Sequence, residues 1–330
     1  MKKFAIGIDI GGTNTAIGVV DEEGNVLVKE GIPTPDHGDI NLYIKDLSNA
    51  IRGIIKSISL LNPDSEILGI GIGAPNGNYY SGTIEYAANL SFRGVVRLVD
   101  MLKNEFPKFN YIALTNDANA AAIGEMIYGG AKGMKNFVMY TLGTGVGSGI
   151  VVNGDLVYGS DGFAGECGHA TLIPEGRRCG CGGIGHLETY CSASGMKRTA
   201  FELLVYYNDN NSLLADVPFN KLTSKMIYEA AIKGDKIALE VFEKTGYYLG
   251  IGLADTVHYL TPEAIFLFGG PTAAGDLIFK PTIESMEKHL LPIFKNKIQI
   301  LPSKLDMGDA AIVGASAMVW KEIEKTKTRC

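Results

Sequence analysis

The segment spanning residues 163–191 concentrates side chains that could bind a metal ion. It contains four nitrogen and sulfur donors, namely His169, Cys179, Cys181 and His186. Structural zinc takes four such ligands in a tetrahedral arrangement, and a closed set of four leaves no open position for the catalysis of a zinc hydrolase. The pattern therefore predicts a structural metal site, although the Cys-x-Cys spacing is tighter than usual and His169 could instead be a core histidine.

Two carboxylates, Glu166 and Glu188, accompany these donors and could bind a hydroxylated ligand. Carboxylate oxygens accept hydrogen bonds from vicinal hydroxyls, which suits a polyol; the alternative for each is a solvated loop carboxylate. If His169 binds the metal through one ring nitrogen, the other nitrogen can donate to a substrate hydroxyl. Cys167 and Cys191 are interpreted as buried thiols. The segment thus combines a scaffold site with candidate contacts for a polyol.

Two glycine-rich turns between strands could bind phosphates. Backbone N–H groups approach a ligand closely where no Cβ intervenes, and Asp9, at the head of the first turn, can hold Mg²⁺ directly or through water. Neither turn fits the P-loop or the dinucleotide fingerprint, and tight hairpins use glycine without any ligand. The candidate phosphate contacts are Asp9, Gly11, Gly12, Thr13, Asn14 and Thr15 in the first turn and Gly143, Thr144 and Gly145 in the second.

Asp117 is the candidate general base. An apolar run at 111–115 ends at Asn116 and Asp117, where an alanine-rich helix begins. Such strand-to-helix junctions carry ligand-facing side chains in open α/β sheets. Phosphoryl transfer to a hydroxyl needs a carboxylate within reach of the attacking O–H, and Asn116 can hold a neighbouring hydroxyl. The alternative is that one of the two residues only caps the helix.

The elements that position these residues repeat along the chain. A strand, a glycine turn, a strand, a turn and a strand follow one another at 4–28, and the same order returns at 137–158. We interpret this as an internal duplication, which would make the two glycine turns face each other across a cleft. Strand and helix patterns alternate elsewhere, which predicts an α/β protein. The helical patterns lie at 40–60, 95–106, 194–207, 223–232, 235–259 and 308–324, and further strands at 67–73, 111–115, 264–268 and 298–301.

Composition excludes several classes of protein. A net charge of −6 provides no basic field for nucleic acid. No apolar run reaches the roughly 18 to 20 residues of a membrane span, and Asp9 interrupts the first apolar run, so we expect a strand there and not a signal peptide. Four of the five cysteines lie between Cys167 and Cys191, which fits metal binding in a reducing compartment better than disulfides. We expect a cytoplasmic protein with no nucleic-acid or membrane partner.

Taken in order, these motifs resemble those of the ROK family of sugar kinases, transcriptional repressors and related proteins. The sequence DIGGT at 9–13 resembles the first phosphate motif of the family, LGTGVG at 142–147 its second and FGGP at 268–271 its adenosine motif. Glu166-x-x-His169 with Cys179-x-Cys181 and the following Gly182-x-x-Gly185-x-x-Glu188 resembles its signature. The resemblance covers essentially the whole chain.

This resemblance implies a two-lobed actin-like, ribonuclease-H-like ATPase fold with an ATP and sugar cleft. Residues 1–120 would form a smaller N-terminal lobe, completed by a C-terminal helix at 308–325, and residues 121–307 a larger lobe with the zinc-bearing loop. ATP with Mg²⁺ would be the phosphoryl donor, with Gly269 and Gly270 at the nucleotide, and structural zinc and a homodimer are also implied. The hexose would be bound by Asn89, Asn116, Asp117, Glu166, His169 and Glu188, with Asp117 as the base.

One position departs from the family signature. His186 stands where the family usually has a third cysteine. Because imidazole can replace thiolate on zinc, we expect a site of two histidines and two cysteines, with Cys191 as the alternative fourth ligand. Repressor members carry a DNA-binding segment before the first phosphate motif. Few residues precede that motif here, so we expect the segment to be absent.

We expect an ATP-dependent hexose kinase that converts glucose to glucose 6-phosphate. The loop from Asn89 to Phe92 and the signature resemble those of glucose-phosphorylating members. Fructose, N-acetylmannosamine, N-acetylglucosamine and allose are alternative substrates, because epimers are distinguished by small displacements of shared polar groups. A non-catalytic sugar-sensing regulator on the same fold is the alternative from another class.

Overall fold

The computed structural model describes residues 2–35, 38–208 and 210–328. Its strands are β1 (Lys2–Ile10), β2 (Asn14–Asp21), β3 (Val26–Pro33), β4 (Ser65–Gly73), β5 (Gly77–Asn78), β6 (Thr83–Glu85), β7 (Val95–Val96), β8 (Tyr111–Thr115), β9 (Phe137–Leu142), β10 (Val146–Val152), β11 (Asp155–Leu156), β12 (Ala264–Phe268) and β13 (Gln299–Pro302). Its helices are α1 (Ile40–Leu61), α2 (Leu98–Glu105), α3 (Asp117–Ile127), α4 (Glu188–Cys191), α5 (Ala193–Tyr207), α6 (Ser224–Ala231), α7 (Lys236–Leu260), α8 (Asp276–His289) and α9 (Ala310–Thr328). Within these residues, no helix combines the length and the apolar character needed to cross a membrane.

The first sheet has the strand order β3-β2-β1-β4-β8. Strands β1, β4 and β8 are parallel, whereas β2 and β3 pair antiparallel with their neighbours. Successive side chains of β1 point to opposite faces, so Ile6 and Ile8 enter the core that includes α1, while Gly7 lies against Ile312 of α9. Helices therefore cover both faces of β1, which explains why the strand is apolar almost throughout.

The second sheet repeats this plan. Its order is β11-β10-β9-β12-β13, with β9, β12 and β13 parallel. In each sheet the first strand of the repeat lies between the second strand and a later parallel strand. The shared order agrees with the duplication predicted from the sequence pattern. A smaller sheet, β5-β6-β7, precedes α2.

The chain divides into two compact units. Unit 1 comprises Met1–Met134, Gly149–Ala164 and Lys304–Cys330, and unit 2 comprises Lys135–Ser148 and Gly165–Ser303. The expected boundary at residue 120 falls inside α3, which belongs wholly to unit 1 because its buried face packs against α9. By these ranges unit 1 is the larger unit, whereas the sequence predicts a smaller N-terminal lobe. In unit 2, α7 packs against α8, α5, α6 and α4.

Candidate active site and metal centre

In unit 1, Asp9 lies near the carboxyl end of β1 and Asp117 just after the carboxyl end of β8, the two strands that flank β4. Strand pairing places Asp9 opposite Gly73 and Gly73 opposite Thr115, two residues before Asp117. The absence of a side chain at Gly73 keeps the space between the two aspartates open: a Cβ there would lie 4.0 Å from Asp9 Oδ1 and 3.7 Å from Asp117 Cα. Burial, and secondly the negative charge of Asp117, raise the pKa of Asp9 to about 6.

The start of α3 separates the roles of Asn116 and Asp117. Asn116 is the N-cap, and its side-chain oxygen accepts a hydrogen bond from the amide of Asn119 at 2.7 Å. Asp117 is the first helical residue, and its Oδ1 accepts from the amide of Ala118 at 2.9 Å. The Asp117 side chain retains exposed surface, yet desolvation by the protein around its carboxyl group raises its pKa, and the Ala118 amide partly opposes this. Asn116 therefore caps the helix, whereas Asp117 presents a carboxylate with increased proton affinity.

The first glycine turn exposes three of its six candidate phosphate contacts. Gly12, Thr13 and Asn14 are exposed, and the Gly11 amide closes the turn on the Asn14 carbonyl at 3.0 Å. Thr15 differs, because strand alternation turns it into the interior, where it is fully buried. Its hydroxyl lies 2.9 Å from Thr34 Oγ1 and 2.6 Å from Tyr43 Oη. The structure thus does not bring Thr15 to the exposed side of the turn.

The loop that carries Asn89 is fixed beside this turn. Asn89 is exposed, and its carbonyl oxygen lies so close to Gly12 that a Cβ on that glycine would approach it to 2.6 Å. Phe92, at the end of the loop, stacks on Tyr43 with ring centroids 5.6 Å apart. Through Tyr43 and Thr15 the loop is connected to the strand that follows the turn. Three candidate sugar contacts of unit 1, namely Asn89, Asn116 and Asp117, therefore stand on elements that pack directly on the first sheet.

The second glycine turn in unit 2 is held from both sides. Ala193, at the start of α5, donates its amide to the Gly143 carbonyl at 2.9 Å. Glu188, at the start of α4, places Oε2 3.4 Å from the Val146 amide nitrogen, and a Cβ on Gly145 would approach this oxygen to 2.5 Å. Thr144 is exposed at the tip of the turn. Pairing of β12 with β9 sets Phe268 opposite Thr141, which brings the expected nucleotide contacts Gly269 and Gly270 to the same end of the sheet.

Four donors in unit 2 form a cluster with the dimensions of a zinc site. The ligand atoms of His169, Cys179, Cys181 and His186 all lie within 4.8 Å of one another. His186 Nδ1 lies 3.3 Å from His169 Nδ1 and 3.3 Å from Cys181 Sγ, and Cys179 Sγ lies 3.8 Å from His169 Nδ1. Zinc bonds of roughly 2.0 Å to nitrogen and 2.3 Å to sulfur give tetrahedral edges of about 3.3 to 3.8 Å, so these residues fit the ion.

Cys191 lies apart from this cluster. It is fully buried, and its thiol donates to the carbonyl of Thr245 in α7 at 3.6 Å. Of the two candidates for the fourth ligand, the geometry thus favours His186 over Cys191.

Of the remaining sugar candidates, His169 belongs to the cluster, and Glu166 and Glu188 lie beside it. His169 Nδ1 faces the other donors, while its Nε2 lies 3.9 Å from Glu166 Oε2. Glu188 Oε1 lies 2.8 Å from Cys179 Sγ and 4.0 Å from His169 Nδ1. One histidine can therefore serve the metal through Nδ1 and a hydroxylated ligand through Nε2.

Two supporting residues, Tyr43 and Arg177, carry no motif signal and are not predicted from the sequence. Tyr43 lies in the first turn of α1 and joins Thr15 to Phe92. Arg177 lies inside the donor-rich segment and binds several groups of α4 and α5. The sequence offers one indication for Arg177. The residue stands two positions before Cys179, in a segment whose polar groups need hydrogen-bond partners within the protein.

Comparison with known proteins agrees with these features. The ROK family model matches residues 5–322. The glucokinase of Halalkalibacterium halodurans is 36% identical over 319 residues, which cover 96% of this chain and 95% of that protein. The DNA-binding transcriptional dual regulator NagC of Escherichia coli is 30% identical over 317 residues, which cover 96% of this chain and 75% of that protein.

Among solved structures, the ROK family glucokinase from Streptomyces griseus in complex with glucose and AMPPNP is similar with a TM-score of 0.79 at 32% sequence identity. The match covers 96% of this chain and 99% of that one. The predicted α/β class and the actin-like ATPase fold are thereby confirmed. The chain belongs to the ROK family.

Proposed function

We propose that this protein phosphorylates glucose with ATP, transferring the γ-phosphoryl group to the 6-hydroxyl. The observation that carries the proposal is the pair Asp9 and Asp117, held at one edge of the first sheet with raised pKa values. A kinase needs one carboxylate beside the cation and another beside the attacking hydroxyl. Glucokinases of the same family align over nearly the whole chain, and this similarity supports glucose as the substrate.

Asp117 is the proposed general base. Its carboxylate would accept the proton of the 6-hydroxyl as the oxygen attacks phosphorus, and the raised pKa makes it a stronger acceptor. Its place at the first turn of α3 fixes the side chain on a rigid element. Asn116, Asn89, Glu166, His169 and Glu188 are the proposed contacts to the other hydroxyls of the sugar.

The two glycine turns are proposed to hold the phosphates. Gly12, Thr13 and Asn14 would donate from the first turn, which the Gly11 amide closes on the Asn14 carbonyl. Thr144 and Gly145 would donate from the second turn, which the Gly143 amide closes on the Gly145 carbonyl. Asp9 would hold Mg²⁺, which neutralises charge on the phosphates when it is bound. Thr15 has no direct part in this proposal, because its hydroxyl is buried and bonded to Thr34 and Tyr43.

The finer properties implied by the family resemblance are further proposals. They are one structural zinc ion per chain on His169, Cys179, Cys181 and His186, a homodimer, and a cytoplasmic location in sugar breakdown. Elemental analysis of the purified protein and light scattering after size-exclusion chromatography measure zinc content and oligomeric state directly.

Release of ADP with a hexose panel tests the proposed function. Purified protein with ATP and Mg²⁺ would be assayed with glucose, fructose, N-acetylglucosamine, N-acetylmannosamine and allose. We expect the highest kcat/KM with glucose and a product that glucose-6-phosphate dehydrogenase oxidises. Preference for another hexose would change the substrate but retain the kinase. Sugar binding without ADP release from any hexose would instead favour a regulator, the role of NagC, to which the chain is also similar.

A further inference from the structure

Arg177 makes an unusually complete set of contacts for a side chain inside a loop. Only 12% of its side-chain surface is exposed. Nη1 donates to the Thr189 carbonyl at 2.7 Å, and Nη2 donates to Thr199 Oγ1 at 2.9 Å and to Glu202 Oε2 at 2.5 Å. Nε donates to Glu202 Oε1 at 2.9 Å. The guanidinium group is therefore bonded along both of its edges.

The same residue also contacts the aromatic ring of Tyr190. The guanidinium carbon lies 4.6 Å from the ring centroid, and the backbone amide of Arg177 donates to Tyr190 Oη at 2.8 Å. The Arg177 carbonyl accepts from the Gly185 amide at 2.8 Å, which joins the two ends of the segment 177–185 that contains Cys179 and Cys181. Arg177 thus joins the loop that carries the zinc donors to α4 through the two residues that follow Glu188.

Glu188 is the first residue of the short helix that these contacts join to the loop. Helix α4 spans only Glu188–Cys191, too short to be held in place by its own hydrogen bonds. The Glu188 carboxylate lies against the second glycine turn, where Oε2 is 3.4 Å from the Val146 amide nitrogen and a Cβ on Gly145 would approach it to 2.5 Å. A small rotation of α4 would move this carboxylate away from the turn.

We propose that Arg177 is a positioning residue for Glu188, which it holds in the orientation that binds the sugar while the carboxylate contacts the second glycine turn. This inference rests on the proposed function, because it takes Glu188 as a sugar contact. The planar fork of arginine is required, since it bonds in two directions within its plane and stacks on Tyr190 through its face. A lysine carries the charge but neither the fork nor the face.

The test combines Arg177→Lys with Glu188→Gln in a double-mutant cycle. Removing the fork should raise KM for glucose about tenfold while kcat changes by less than about threefold, because a sugar contact made before the reaction weakens. In the Glu188→Gln background, the same change should alter KM for glucose by less than about twofold, because the residue through which Arg177 acts is already altered. The proposal would be overturned if the change in KM of the double variant equalled the product of the changes in the two single variants. An unchanged KM in Arg177→Lys would also overturn it.

Arg178→Lys is the matched control, because Arg178 is the exposed neighbour of Arg177. The KM of this variant for glucose should equal that of the wild type. Zinc content and thermal denaturation of each variant report folding. A variant that keeps its zinc and melting temperature but shows the KM change supports positioning, whereas a lowered melting temperature with unchanged KM indicates a purely structural role and overturns it. Should the wild type prefer another hexose, the cycle would be measured with that sugar, and a wild type without kinase activity would refute the proposed function instead.

Discussion

Asp9 faces Asp117 across Gly73, and the negative charge of Asp117 is, after burial, the second cause of the raised pKa of Asp9. Two carboxylates in such an arrangement are not readily ionised at the same time, because the negative charge of each disfavours ionisation of the other. Binding of a cation by Asp9 would offset its negative charge and favour the ionised form of Asp117, which the proposed base requires. The strand register, which brings the two carboxylates together, is thus compatible with the proposed roles of base and cation ligand.

Replacing Asp117 by asparagine tests the base. The change keeps the size of the side chain and removes the proton acceptor, so kcat should fall by about 10²- to 10⁴-fold. Glucose affinity, measured by titration calorimetry, should change little, because the amide oxygen can still accept a hydrogen bond. A variant with nearly normal turnover would exclude Asp117 as the base.

In the pH profile of kcat/KM, the fall in activity at low pH should lie at a higher pH than for an ordinary aspartate. A base must be ionised to act, so activity falls as the pH drops through its pKa, and desolvation raises the pKa of Asp117 above 3.8. We expect kcat/KM for glucose, measured at saturating ATP and Mg²⁺, to lose half its value at a pH above 3.8. Enzyme returned to neutral pH after each assay controls for irreversible loss. A midpoint at or below 3.8 would contradict the raised pKa.

His186→Ala tests the metal site. Removing one of four ligands opens the tetrahedron, so zinc bound per chain after dialysis should fall well below that of the wild type. Cys191→Ala is the control, because the Cys191 thiol contacts Thr245 and not the cluster, and it should retain full zinc. Full zinc in His186→Ala together with loss in Cys191→Ala would reverse the assignment of the fourth ligand.

Gly145→Ala tests the contact between Glu188 and the second glycine turn. The added Cβ would lie 2.5 Å from Glu188 Oε2, so the turn or the carboxylate must move. Misplacement on this scale should lower kcat/KM by about ten- to a hundredfold. Gly143→Ala adds its Cβ to open space in the same turn, and its effect should be smaller. Equal effects of the two variants would show that the contact with Glu188 is unimportant.

Thr15 and Thr13 should respond in opposite ways to substitution by valine. Thr15→Val leaves the buried hydroxyls of Thr34 and Tyr43 without their common partner, which should cost about 1 to 3 kcal/mol of unfolding free energy. Thr13 is exposed, so Thr13→Val should change stability by less than about 0.5 kcal/mol but raise KM for ATP. Denaturant unfolding and ATP kinetics of both variants provide the comparison. A Thr15→Val protein of normal stability with a raised KM for ATP would indicate that Thr15 contacts the phosphates.

The sequence predicts the parts of this molecule that depend on local pattern. The glycine turns, the junction at Asp117 and the repeated strand order all follow from short-range periodicity and from glycine. The burial of Thr15 does not, because its partner Tyr43 lies on a different element, 28 residues along the chain. The capping role of Asn116 was an open alternative, since capping and ligand-binding asparagines share the same local sequence.

Arg177 shows a second limit of sequence reasoning. An arginine among glycines is compatible with an exposed side chain, and the identical neighbour Arg178 is in fact exposed. Only the packing of α4 and α5 against the loop distinguishes the two, because the acceptors come from Thr189, Thr199 and Glu202. Contacts between separate elements thus determine which of two adjacent arginines is functional.

The packing of α3 against α9 has a consequence for synthesis of the protein. Helix α9 also covers β1, β4 and β8, yet it follows the whole of unit 2 in the chain. A nascent chain on the ribosome therefore presents the first sheet with one apolar face open until all of unit 2 has emerged. Unit 2 can complete its core first, and the helix that carries Asp117 acquires its packing partner only afterwards. Chaperone binding during translation should concentrate on this uncovered face of the first sheet.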